Sequence, residues 1–203
     1  MKINRMILFF FCLTSWVSFA FSEEADQWVT VPITSRFVDR NSGVMLEEQC
    51  LVEFPNDPEI LEIPFPGDGE MPSHYQACDS EEVLFYFGAI PAHIADYDEA
   101  VRCTRELPNY VENMILLFDC ENLSPPEAVK SWKGHTFLFI HENRLYCTTV
   151  IAGRDFVFAL NTDVFDDVFL DYNESELDID FEEKLISTMK KTERFVHSFR
   201  LID

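Results

Sequence analysis

The chain has 203 residues, with 37 Asp plus Glu against 15 Lys plus Arg, a formal net charge of −22 at pH 7. A protein held to phosphates needs a basic stripe that releases counterions, so this balance excludes most nucleic-acid binding. With 47% hydrophobic and 14% aromatic residues, the chain carries too much core material for a disordered acidic tail, and its length suits one ordinary domain.

Residues 1–22 read as a secretory signal. Lys2 and Arg5 supply the positive start, residues 7–16 the apolar run, and Ser18 with Ala20, or Ala20 with Ser22, the small residues before a cleavage point. The uncharged run over 6–22 is shorter than the roughly 20 residues of a spanning helix. The expected mature protein therefore begins near Glu23, is secreted or periplasmic, and keeps no membrane span. Five cysteines remain in it: Cys50, Cys78, Cys103, Cys120 and Cys147. An oxidising compartment favours pairing, so at most two disulfides and one leftover thiol are expected. None of the five forms a Cys-x-x-Cys unit, which argues against a redox pair or a zinc knuckle.

From Trp28 onward the residues are strand-like. Residues 28–31 are rich in β-branched side chains, 39–43 form a turn cluster, and 44–54 alternate, with Cys50, Val52 and Phe54 on one face. Residues 55–79 hold five prolines and two glycines and are expected to form an irregular Pro-rich loop, with at most a short strand at 60–63. The apolar, aromatic run 83–87 fits a central strand. Residues 94–106 carry Ile94, Tyr97, Val101 and Thr104 at helical spacing, and Pro108 stops that helix. The segment 110–120 is ambiguous, its second half more strand-like, and Ser124-Pro125-Pro126-Glu127 opens a short helix towards Trp132.

Residues 136–140, 145–151 and 156–160 are three strands separated by two short turns, a meander. After an acidic linker, residues 181–199 make an amphipathic helix whose stripe is Phe181, Leu185, Met189, Thr192, Val196 and Phe199, with Phe195 beside it. Its acidic start and basic end suit the helix dipole. These elements predict an α+β fold, an antiparallel sheet with helices packed on it and closed by the long C-terminal helix, as a single domain over 23–203. The strand reading Gly153-Arg154-Asp155-Phe156-Val157-Phe158-Ala159-Leu160, followed by the helix ending Phe195-Val196-His197-Ser198-Phe199-Arg200, resembles the end of PsbP-like domains. The resemblance covers residues 135–201. It implies an α/β/α sandwich used for protein association rather than catalysis.

The chemistry-bearing candidates are few. Residues 163–183 hold ten acidic side chains and no basic one. Within them Asp171, Asn173, Ser175 and Glu182 fall at positions 1, 3, 5 and 12 of a calcium loop, where hard oxygen donors are wanted. Glu176 stands where that loop needs glycine, which favours a solvated acidic loop whose last carboxylates cap a helix, with millimolar calcium binding as the intermediate case. The five histidines show no metalloprotease spacing, and His74 with Cys78 is the one close His/Cys pair. The glycine motifs of nucleotide-binding turns and the Gly-x-Ser-x-Gly of hydrolases are absent from the sequence. The reading is an exported, non-enzymatic binding or assembly protein without a resident cofactor, steered by its acidic field to a cationic protein partner. The alternative is a secreted enzyme with a dispersed site, a Cys/His hydrolase using His74 and a free cysteine.

Overall fold

The computed structural model describes residues 28–64, 68–123, 131–169 and 179–202. The signal expected at residues 1–22 and the helix opening at 124–127 lie outside them, as do Asp171, Asn173 and Ser175.

The chain starts with a hairpin in which β1 (Val29–Asp39) pairs with β2 (Val44–Phe54), from Val29 opposite Phe54 to Asp39 opposite Val44. The expected turn closes it. The Asp39 carboxylate accepts from the Asn41 N–H at 2.9 Å and from the Ser42 hydroxyl at 2.6 Å, and Gly43 takes φ +73°, which glycine enters without a Cβ clash. Alternation turns Ile33 and Phe37 of β1 and Cys50, Val52 and Phe54 of β2 to the inner face, where all five are buried. Two short strands flank the hairpin, β4 (Gly69–Glu70) beside β1 and the terminal β11 (Arg200–Ile202) beside β2.

The second sheet has seven antiparallel strands. Its spatial order is β3 (Glu59–Leu61), β5 (His74–Cys78), β6 (Val83–Pro91), β10 (Phe156–Phe165), β9 (Arg144–Ala152), β8 (Lys133–His141) and β7 (Met114–Leu123). The expected meander is β8-β9-β10, and the 83–87 strand lies centrally as β6, extended to Pro91. Helix α1 (Tyr97–Arg105) starts at Asp96, whose carboxylate accepts from the Glu99 N–H at 2.8 Å, and lays Ala100 and Val101 over Phe137, Phe139, Val150 and Val157. Helix α2 (Ile179–Ser198) lies on the other side, where Phe181, Phe195 and Val196 join the core shared by the two sheets.

The expected α+β class is thus overturned. Eleven strands in two antiparallel sheets, with two α-helices among the described residues, make a β-rich fold. The physical reason lies in the segments read as irregular or helical. The Pro-rich stretch 55–79 contributes β3, β4 and β5, and the chain leaves α2 at Ser198 to add β11 to β2. The hairpin β1-β2 belongs to a separate sheet that packs against the other, so the core is mainly sheet on sheet. The helical stripe shifts too: Phe195, expected beside it, is fully buried against the rings of Phe54 and Phe85, whereas Leu185 and Met189 are only half-buried.

One buried charge joins the sheets. Glu48 points inward from β2, and its carboxylate accepts the backbone N–H groups of Arg154, Asp155 and Phe156 at 2.9, 3.1 and 3.2 Å, in the β9-β10 turn. These donors satisfy a carboxylate that would otherwise be costly to bury. Gly153 makes the approach possible, because a Cβ there would lie 2.7 Å from Glu48 Oε2 and 2.6 Å from the Phe158 ring.

Candidate functional site

Strand β7 builds the site through a single irregularity. It pairs with β8 in register to Leu116 opposite Phe139, then skips a residue so that Phe118 stands opposite Leu138. Leu138 faces the main core and Phe139 the opposite side beneath α1. Without the extra residue, Phe118 would face outward with Phe137, and Asp119 would point inward. The bulge therefore exchanges them, turning Phe118 to the α2 side and Asp119 to the α1 side.

On the inner side this leaves a cleft of about 630 Å³ between α2 and strands β7, β8 and β9. Leu185, Ile186, Met189 and Val196 form the helical wall, and Phe118 stands across from them. Phe118 is 45% and Ile186 54% exposed, although both belong to elements whose other faces are packed. Thr136, Thr149 and Thr192 lie at the floor, with Asn122, Lys190, Glu193 and His197 around them; Glu121 meets the cleft only at its rim, its carboxylate turned to Lys133 on the α1 side. Asn122 Nδ2 donates to Thr136 Oγ1, and the Thr136 and Thr149 hydroxyls are 2.8 Å apart. One of those hydroxyls donates to the other, so the pair keeps one hydrogen to offer an acceptor. Volume, apolar lining and a few convergent polar groups are the features of a ligand-binding cleft.

On the outer side Asp119 contacts His135 and accepts from Arg105 at 2.5 and 3.1 Å. Arg105 first, and His135 after it, hold the Asp119 carboxyl below its usual range. His135 stacks on Phe137 with centroids 4.8 Å apart, and Arg105 lies over the same ring at 5.7 Å. Burial, with Glu121 and Asp98 nearby, pushes the Tyr97 hydroxyl up to about 12. This cluster ties β7 and β8 to α1.

The residues singled out in the sequence fare differently. Glu182, the described member of the calcium set, is an exposed residue in the first turn of α2. Among the described residues no group of three or more His, Cys, Asp or Glu converges as metal ligands would. His74 and Cys78 share β5, where four residues of extended chain span roughly 13 Å. His74 is moreover fully buried against Tyr86, and burial lowers its pKa to about 4. The structure does not assemble that Cys/His dyad. The expected disulfides are not formed among the described residues: Cys50 and Cys147 are buried in the core as expected, Cys103 sits on α1 and Cys120 on β7. Burial raises the Cys147 thiol to about 12 and raises Cys50 and Cys103 as well, the opposite of nucleophile activation.

Sequence reasoning missed Phe118, Ile186 and the bulge. The unbroken apolar run 114–118 is compatible with either strand face, and Ile186 falls outside the helical stripe, so neither signals an open cleft. Among the described residues no helix is long and apolar enough to cross a membrane. The chain matches no family model, and no curated protein matches it.

Proposed function

We propose that this chain is an exported, non-enzymatic binding or assembly protein that holds a cationic partner protein in the cleft between α2 and β7. The observation that carries the reading is the pair of exposed apolar side chains, Phe118 and Ile186, on the two walls of that cleft. Covering one large apolar side chain is worth about 1.5–3 kcal/mol, so an occupant that buries both gains a usable affinity from them alone. Charge decides the kind of occupant. At −22 the chain repels acidic partners and steers basic ones. The order of charged, apolar and small residues in the first 22 positions supports export, and the resemblance of residues 135–201 to PsbP-like domains supports association.

Selection from a random peptide library displayed on phage, with the protein immobilised, tests the reading. Enriched sequences are expected to combine apolar residues with Lys or Arg. Ile186→Glu, an exposed position where little stability is at stake, is expected to weaken the selected peptides tenfold or more. Acidic winners, no enrichment, or full binding by Ile186→Glu would contradict it.

A further inference from the structure

The cleft opens at the end of the seven-stranded sheet, and that end has features of its own. Among the described residues β7 pairs with β8 alone, so the other edge of a ten-residue strand presents its backbone N–H and C=O groups outward. None of residues 114–122 is buried, whereas β8, one strand further in, is buried from Thr136 to Ile140. Edge strands are ordinarily blunted by charged side chains, above all Lys, by Pro or by bulges; β7 has no Lys or Pro and carries Asp119, Glu121 and the bulge at Leu117. Beyond that bulge the strand runs regularly from Phe118 to Leu123.

The charges that the strand itself contributes are acidic, and Asp119 among them is already held by Arg105 and His135. Residues 111–123 include Glu112, Asp119 and Glu121 and no basic residue. Lys133 reaches Glu121 from β8 at 3.1 Å, yet the Glu121 side chain stays 56% exposed. A second copy of the chain would bring the same acidic edge, and a net charge of −22, against this one. The favoured occupant is therefore basic. Alternation specifies it further, since residues opposite Phe118 and Cys120 would point to the cleft side and those opposite Asp119 and Glu121 to the outer side.

We propose that the free edge of β7 accepts an extended segment of the partner, alternately apolar and basic, as an eighth strand whose apolar side chains overhang the cleft beside Phe118. The proposal rests on the cationic-partner reading and adds the mode of recognition, backbone pairing with pockets for alternate side chains. The same edge would then supply affinity through main-chain hydrogen bonds and selectivity through Phe118 and Glu121.

The test uses the full chain and three blocked nonapeptides: one alternating Val and Lys, one alternating Val and Glu, and the Val/Lys peptide N-methylated at every second residue. The Val/Lys peptide is expected to bind, with amides in 114–123 exchanging at least tenfold more slowly in its presence. The Val/Glu and N-methylated peptides are expected to bind at least tenfold more weakly, the latter because it keeps every side chain but loses one edge of backbone donors. Glu121→Lys should reduce Val/Lys binding tenfold, and Met45→Lys, an exposed site on the other sheet, should not. Equal binding of the N-methylated peptide, or protection confined to α2, would overturn strand addition while leaving the cleft reading intact. No binding of the Val/Lys peptide would overturn strand addition, and the cationic-partner reading would then stand or fall on the library selection.

Discussion

Glu48 and Gly153 show how closely one residue can depend on another. The carboxylate of Glu48 gathers three backbone N–H groups from the turn that Gly153 opens. Gly153→Ala would press a methyl group against the Glu48 oxygen, the Phe158 ring and the Phe156 carbonyl. The expected loss is about 1–3 kcal/mol in urea unfolding, typical of overpacking. An unchanged unfolding midpoint would mean that the turn yields freely. A second buried carboxylate carries a pH signature. Asp163 lies on β10, 2.8 Å from Arg144, yet burial outweighs that guanidinium and raises its pKa to about 6. Between the ordinary carboxylate range near pH 4 and pH 6, the folded state therefore holds a proton that the unfolded state has released, and stability falls as pH rises through this window. The contribution is fully present below about pH 4 and lost above about pH 6, with a size of about 3 kcal/mol. Asp39, Glu99 and Asp119 are lowered instead and act in the opposite sense at more acid pH. Comparing the chain with Asp163→Asn isolates the effect: the difference in unfolding free energy should change between pH 4 and 6 and stay level above 7. A level difference throughout would rule out the raised pKa.

At the scale of elements, α2 carries the sharpest contrast. Phe195 is enclosed by Phe54 and Phe85, while Leu185, three turns earlier, lines the open cleft. Phe195→Ala should cost about 3–5 kcal/mol, and Leu185→Ala, about a third to a half of that. Equal losses in chemical denaturation would mean that α2 sits rotated from the orientation described. The same helix shows what the sequence discloses. Its apolar residues announce an amphipathic helix, but Phe181, Leu185, Met189 and Phe195 all lie within a broad arc, and only the neighbouring sheets decide which part is enclosed. The hairpin β1-β2 and the meander β8-β10 were legible because alternation and turn residues are local signals. β5 and β11 were not. His74-Tyr75-Gln76-Ala77-Cys78 alternates polar with apolar residues, but the burial runs against that pattern: His74 and Gln76 are enclosed by pairing partners distant in sequence, while Tyr75 is only half-buried. Three residues after a helix become β11 only because α2 delivers them beside β2. The bulge at Leu117, on which the cleft depends, leaves no trace in composition or periodicity.

The whole molecule couples a dense aromatic core to an acidic exterior. Rings of Phe54, Phe85 and Phe195 join both sheets to α2, and those of Phe87, Phe158 and Phe199 form a second group in the same buried core, which gives the cleft walls a rigid mounting. The field of 22 excess negative charges acts over about 8–10 Å at moderate salt. Approach of a basic partner should therefore slow markedly as salt is raised, while the apolar contacts in the cleft persist. The most direct measurement of the central claim is a methyl NMR titration of the full chain with a peptide taken from the library selection, at low and at high salt. The shifted methyls are expected to be those of Leu185, Ile186, Met189 and Val196, at both salt concentrations, with a weaker affinity at high salt. Shifts confined to β1 and β2, or a peptide that binds while these four methyls stay still, would contradict it.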